Sequence, residues 1–300
     1  MGVLRIHLLG TVQVSHDGRA DPEARLIHAV QALLAYLLLH RKKAHAREVL
    51  GGIFWGEHTD ARARSCLSTA LWRLRQVLEP AGVTRGTYLM TMGSREVGFN
   101  CNSDHWLDVA AFEAGLQTLS RSRLDRLEGS DWVAAEEAIA LYRGDLLEGF
   151  YEEWALRERE RLRILYLDGL GRLLQHHSQS EALEQALDCG RRILEVDPLR
   201  EEIHREMIRL HLRCGRRGLA LQQYEACRQI LAEELDVEPM EETQSLYHSI
   251  APAGSRMPSR RTHSPVSQRV LPPLRSAVSN LDEAREQLNR AIRLVEEETS

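Results

Sequence analysis

The side chains best suited to chemistry lie between Asp60 and Glu79. At the roughly 100° per residue of an α-helix, Leu67, Leu71, Leu74 and Leu78 form one narrow apolar stripe that must face a core. Opposite them fall Arg62, Ser65, Thr69, Trp72, Arg73 and Gln76, with Arg64, Ser68 and Arg75 on the flanks. No acidic residue interrupts that outer face before Glu79. An ordinary solvated helix face mixes both signs of charge. This one offers only donors and a single indole. An α-helix fits the major groove of B-DNA, where Arg and Gln bond base edges and Ser or Thr bond phosphates. The expected partner is double-stranded DNA. Beyond Pro80, the segments Tyr88–Met92 and Glu96–Phe99 flank Gly93-Ser94-Arg95, a hairpin with Arg95 at its tip. Such a hairpin, following a groove-binding helix, can touch the DNA backbone or minor groove; the plain alternative is that Arg95 is only a turn residue.

Other chemistries find little support. The five cysteines, Cys66, Cys101, Cys189, Cys214 and Cys227, are far apart and read as reduced thiols. The thirteen histidines are scattered, and His176-His177 or His204 with His211 have no partner at metal-ligand spacing. Glu152-Glu153, the alternating Arg157–Arg161 run and Glu233-Glu234 are explained by ion pairing along helix faces rather than by a catalytic carboxylate pair. Phosphate loops, nucleophile elbows and His-Glu-x-x-His are missing. We therefore expect no enzyme, no cofactor, no metal and no small-molecule ligand.

The elements that must hold the donor-rich helix are legible on either side of it. Val3–Gly10 and Val12–Val14 read as a strand hairpin ending at the turn signal His16-Asp17-Gly18. From about Arg25 to His40, Ile27, Val30, Leu33, Leu34, Leu37 and Leu38 recur at helical spacing. Arg41-Lys42-Lys43 closes that helix with cations, and Arg47–Trp55 reads as a short second helix weakened by Gly51 and Gly52. Two strands, three helices and a terminal hairpin make a winged helix-turn-helix.

From Asp104 to about Ile250 the pattern is helical throughout. Leu170, Leu173, Leu174, His177 and Ala186 align with His204, Met207, Ile208, His211 and Ala220, each 34 residues on, which is the tetratricopeptide period. Stacked helical pairs of that kind present a concave surface for a partner. The charge divides the same way: residues 1–100 carry a net +5 and residues 101–250 a net −12, as expected if only the first part meets a polyanion.

The fold class expected is mostly α: a winged-helix DNA-binding domain over 1–103, then an all-α tetratricopeptide-like domain over 104–250. Residues 251–277, rich in Pro, Ser and Arg, read as a flexible linker, and 278–300 as an amphipathic C-terminal helix. With no long uncharged apolar stretch and no secretory signal, a cytoplasmic protein is expected, on the nucleoid when bound to DNA.

Ala63-Arg64-Ser65-Cys66-Leu67, Ala70-Leu71-Trp72-Arg73-Leu74-Arg75 and Leu78 resemble the winged helix of OmpR-type regulators, and more narrowly that of the Streptomyces antibiotic regulatory protein (SARP) family. Tyr142–Leu162, Asp197–His204 and Gly215–Pro239 resemble successive parts of that family's bacterial transcriptional activation domain. The resemblance covers about residues 3–250. It implies a transcriptional activator that binds direct repeats as a homodimer on DNA and contacts RNA polymerase holoenzyme, with the loop Gly56–Asp60 as one point of contact. Three features depart from the family pattern: Ala46 where a Ser or Thr cap is usual, the paired Gly51-Gly52, and Trp72 in place of a small polar residue. The alternative is a protein-interaction adaptor whose winged helix no longer reads DNA, with Trp72 sealing a protein contact.

Overall fold

The computed structural model describes residues 3–16, 19–20, 26–93, 95–122 and 126–251. Strands β1 (Leu4–His7) and β2 (Gln13–His16) pair antiparallel, Leu4 opposite His16, around a turn in which Gly10 takes the left-handed φ of 91°. Strand β3 (Arg19–Ala20) adds to β2. Helix α1 (His28–Leu39) runs through the centre, followed by β4 (His45–Ala46), α2 (Arg47–Trp55) and α3 (Asp60–Leu78). Strands β5 (Leu89–Met92) and β6 (Glu96–Phe99) form the hairpin, with β4 on the free edge of β6. Strand β7 (His105–Leu107) then returns to lie parallel to β1, giving the order β3-β2-β1-β7.

The remainder is helical: α4 (Asp108–Arg121), α5 (Gly129–Leu141), α6 (Glu153–Gln179), α7 (Leu183–Val196), α8 (Glu201–Arg213), α9 (Arg217–Glu234) and α10 (Glu241–Ile250). Helices α7 and α9 begin at Leu183 and Arg217, which preserves the 34-residue period. Ala186 and Ala220, the small residues of the repeat, are both fully buried where paired helices cross. The expected fold class, a winged helix followed by tetratricopeptide-like helical pairs, is borne out.

Two local expectations are corrected. Ile27 was placed in the buried stripe of α1, but it precedes the helix and is 55% exposed. Within α1, in turn, Ala32 to Leu38 are all buried, so the helix is covered on every side rather than amphipathic. Its far side is covered by the helical domain, where Tyr36 meets Trp154 of α6 edge-on at 5.3 Å. The segment after Asp104 is not helical throughout either. Residues 105–107 form β7, which exists because β1 offers it a free edge and is too short to show alternation.

Residues Met1–His248 make one compact unit with a continuous core. At its centre, Asp108 is 1% exposed and accepts the amides of Leu8 at 2.8 Å and Leu9 at 2.9 Å. Beyond it, the loop between α5 and α6 straps onto the end of β1: Gly10 donates to the Asp145 carbonyl, Leu147 to that of Leu8 and Glu148 to that of Gly10. Arg159 of α6 holds the strap from behind, donating to the carbonyls of Leu146 (2.8 Å), Leu147 (2.6 Å) and Phe150 (2.9 Å). Glu113 of α4 bridges Arg41 beyond α1 and Arg161 of α6. The expected linker and C-terminal helix, apart from Ala251, lie outside the described residues. Among the described residues, no helix is long and apolar enough to cross a membrane.

Candidate nucleic-acid interface

Helix α3 carries the site. Its buried side is Ala63, Leu67, Ala70, Leu71, Leu74 and Leu78, packed on α1 and α2. Asp60 in the first turn and Arg75 in the last complement the helix dipole. All eight α3 residues expected at the interface, Arg62, Arg64, Ser65, Ser68, Thr69, Trp72, Arg73 and Gln76, are exposed, and so is Arg95 in the hairpin turn just before β6. By helical angle, Ser65, Trp72 and Gln76 lie near the middle of the outer arc, Arg64 and Arg75 near one edge, and Arg62 and Arg73 near the other.

Two hydroxyls on this face, those of Ser68 and Thr69, are engaged within the protein. Ser68 donates to the Arg64 carbonyl at 2.8 Å and accepts from Arg47 Nη2 at 3.0 Å. Thr69 donates to the Ser65 carbonyl at 3.1 Å. Arg64 Nε reaches back to the Asp60 carbonyl at 3.1 Å. These bonds hold the side chains close to the helix axis and leave the ends of the arginines and the Gln76 amide outermost.

The hairpin is fastened to α3 by one network. Arg75 Nη2 donates to Thr91 Oγ1 of β5 at 2.7 Å. Glu79 Oε1 accepts the amides of Tyr88 and Leu89, each at 3.0 Å, which fixes the start of β5. The Arg47 amide donates to the Arg95 carbonyl at 2.8 Å, tying the start of α2 to the hairpin tip. Between these elements runs a groove of about 400 Å³ bordered by Arg47, Trp72, Arg75, Gln76, Glu79 and Arg85. Burial lowers the pKa of Arg75; Arg85 and Arg47 lower it further, and Glu79 opposes them. Arg47 and Arg85 thus add positive charge beside the Arg75–Glu79 pair, an excess at the junction of helix and hairpin.

Charge pairing separates the two halves of the chain. In the helical domain most arginines are matched to acids: Arg157 to Glu153, Arg161 to Glu113 and Glu158, Arg172 to Asp168, Arg191 to Asp188, Arg216 to Glu184 and Arg228 to Glu225. The expected pairing along those helices is present, although Glu152 turns inward to His28 of α1 at 3.6 Å. Among the described residues, by contrast, none of Arg47, Arg62, Arg64, Arg73, Arg85 and Arg95 pairs with a carboxylate. The sequence did not point to Arg47 or Arg85, because tertiary packing alone brings them beside α3. The helical spacing puts Arg75 on the flank, and its tie to Thr91 arises only from tertiary packing.

Gly56, Glu57, His58, Thr59 and Asp60, the loop expected to face polymerase, are all exposed. Beside them, a second groove of about 270 Å³ is lined by Arg47, Gly51, Trp55, His58, Asp60 and Arg64. Gly51 does not serve close packing, since a Cβ there would stand an ordinary 3.7 Å from that of Ala63. Among the described residues, no cluster of His, Cys, Asp or Glu is arranged to hold a metal ion.

The fold is thus a winged helix built onto stacked helical pairs, and comparison with known proteins agrees. Residues 107–251 match the family described as bacterial transcriptional activator domain. The chain is 30% identical over 259 residues to the regulatory protein AfsR of Streptomyces coelicolor, a match covering 84% of this chain and 24% of AfsR. It is 27% identical over 266 residues to the transcriptional regulatory protein MoaR1 of Mycobacterium tuberculosis, covering 83% of this chain and 79% of MoaR1. The chain therefore spans about a quarter of the first relative and most of the second. The solved structure of Mycobacterium tuberculosis EmbR in complex with a low-affinity phosphopeptide superposes with a TM-score of 0.60 at 20% identity, over 83% of this chain and 65% of that one. These matches bear out the resemblance to SARP-type transcriptional regulators.

Proposed function

We propose that this chain is a sequence-specific DNA-binding transcriptional regulator, an activator that binds direct repeats in promoters. Helix α3 enters a major groove through Arg62, Arg64, Ser65, Ser68, Thr69, Trp72, Arg73 and Gln76, and the hairpin braces the backbone through Arg95. The helical domain and the loop 56–60 contact RNA polymerase holoenzyme, and two protomers sit in tandem on the repeats. One observation carries this conclusion: among the described residues, Arg47, Arg62, Arg64, Arg73, Arg85 and Arg95, on and beside α3, pair with no carboxylate, whereas most arginines of the helical domain do. A guanidinium without a protein carboxylate has its full charge available to a phosphate or a guanine edge. The names of AfsR and MoaR1, both regulatory proteins, support the same conclusion.

The test is retention of sheared genomic DNA by the purified protein beside an Arg64→Ala/Arg73→Ala double variant. Enrichment of a few promoter fragments by the wild type alone is the expected result. Affinity should also fall steeply between about 50 and 200 mM salt, as counterions released from several phosphates require. If wild type and variant retain the same unselected DNA, or none, the adaptor alternative replaces this one.

A further inference from the structure

Trp72 stands near the centre of the outer arc of α3, with Ser68 and Thr69 one turn before it and Gln76 one turn after. It is 60% exposed. Among the described residues its ring meets no other aromatic ring and no cation, unlike Trp106, Trp132 and Trp154, which each stack or meet a neighbour. An indole held in water amid hydroxyls and guanidiniums has much apolar area still to bury. The adjacent hydroxyls of Ser68 and Thr69 already donate to their own helix backbone. Beside the Ser65 hydroxyl, the middle of the arc therefore offers two larger groups with no partner among the described residues: the Trp72 ring and the Gln76 amide.

Those two groups select among base pairs. In the major groove only the A·T pair presents an apolar group, the thymine 5-methyl, together with the adenine N6 and N7 atoms that a Gln amide bonds in bidentate fashion. A G·C pair presents neither. Trp72 and Gln76 are about 6 Å apart along the helix axis, within two base-pair steps of roughly 3.4 Å each. We propose that the middle of α3 reads A·T pairs, Trp72 packing on a thymine 5-methyl and Gln76 bonding a nearby adenine. This rests on the DNA-binding function proposed above and adds the base chemistry it recognises.

The experiment uses the full chain. Duplexes are selected from a random-sequence pool, and the enriched sequence is resynthesised with deoxyuridine, which lacks the methyl, in place of each thymidine in turn. Wild type should lose about fourfold in affinity at a contacted position, the equivalent of one methyl returned to water. Trp72→Ala should bind the thymidine duplex more weakly and no longer distinguish it from its deoxyuridine counterpart; Gln76→Ala should tolerate any base where wild type selects adenine. Equal binding of all the duplexes by wild type overturns the proposal, as does discrimination that survives in Trp72→Ala. If no duplex is enriched from the pool, the DNA-binding function itself fails, a result distinct from enrichment without methyl sensitivity.

Discussion

Removing the Arg159 guanidinium should loosen the joint between the winged helix and the helical domain. Its three hydrogen bonds end on carbonyls of Leu146, Leu147 and Phe150, residues that are 0%, 0% and 4% exposed. Water therefore replaces the lost donors poorly. A hydrogen bond from a charged donor contributes about 1.5–3 kcal/mol, and leaving a buried acceptor unsatisfied costs about 1–3 kcal/mol. Bonds from one side chain are not additive, so Arg159→Ala should lose about 2–4 kcal/mol rather than the sum. Leu147 adds to the case, because it is held at a φ of 53°, a left-handed backbone that for a branched side chain stores about 1–3 kcal/mol and persists only while its surroundings enforce it.

Urea unfolding of the full chain measures this loss, and amide exchange at Gly10, Leu147 and Glu148, the donors of the strap, locates it. Wild type should unfold the unit Met1–His248 in a single transition because its core is continuous. The variant should release the strap amides first. A loss below about 1 kcal/mol with those amides still protected would refute the claim that Arg159 holds the strap.

Three further outcomes are expected. Gly115→Ala should lower the melting temperature, since a Cβ there would lie 2.6 Å from that of Ala138 and 2.7 Å from the backbone oxygen of Ala134; overpacking of about 1–3 kcal/mol outweighs the roughly 1 kcal/mol that alanine gains in helix propensity. His204 should make stability depend on pH. Its Nε2 donates to the Pro198 carbonyl and its Nδ1 accepts from Gln223, so both nitrogens are satisfied in the neutral ring, and burial lowers its pKa. The unfolded chain, titrating near 6.5, then binds the proton first; stability is intact above that pH and declines as pH falls below it, which urea midpoints at about pH 7.5 and 5.5 will show, with a smaller difference in His204→Gln. Finally, Arg64→Ala and Arg73→Ala should each weaken DNA binding by about 1–3 kcal/mol, roughly 5- to 150-fold by titration, and leave the fold intact because both side chains are exposed.

What could be seen in the sequence was what local periodicity determines. Helix α3 was legible because four leucines at three- and four-residue spacing admit one buried side, which also determined the outer residues without any tertiary information. The 34-residue period was legible for the same reason, since Ala186 and Ala220 must be small where helices cross. Strands β3, β4 and β7, two or three residues each, have no pattern of their own; they form because β2, β6 and β1 leave an edge free. Arg47 is 21 residues from Ser68, and nothing in its neighbourhood marks it as a companion of α3. The charge pattern was only half legible for the same physical reason. Along α6, Glu153 and Arg157 neutralise each other at a spacing any helix imposes, and Arg62 and Arg73 of α3 could be recognised as bare by the absence of such partners. The joining of the halves, by contrast, depends on Asp108 accepting amides a hundred residues away and on Arg159 reaching three carbonyls of a loop without periodicity. An arginine in an Arg-Glu-Arg-Glu-Arg run looks like one more surface ion pair, and only the path of the chain turns this one inward to fasten the winged helix to the helical domain.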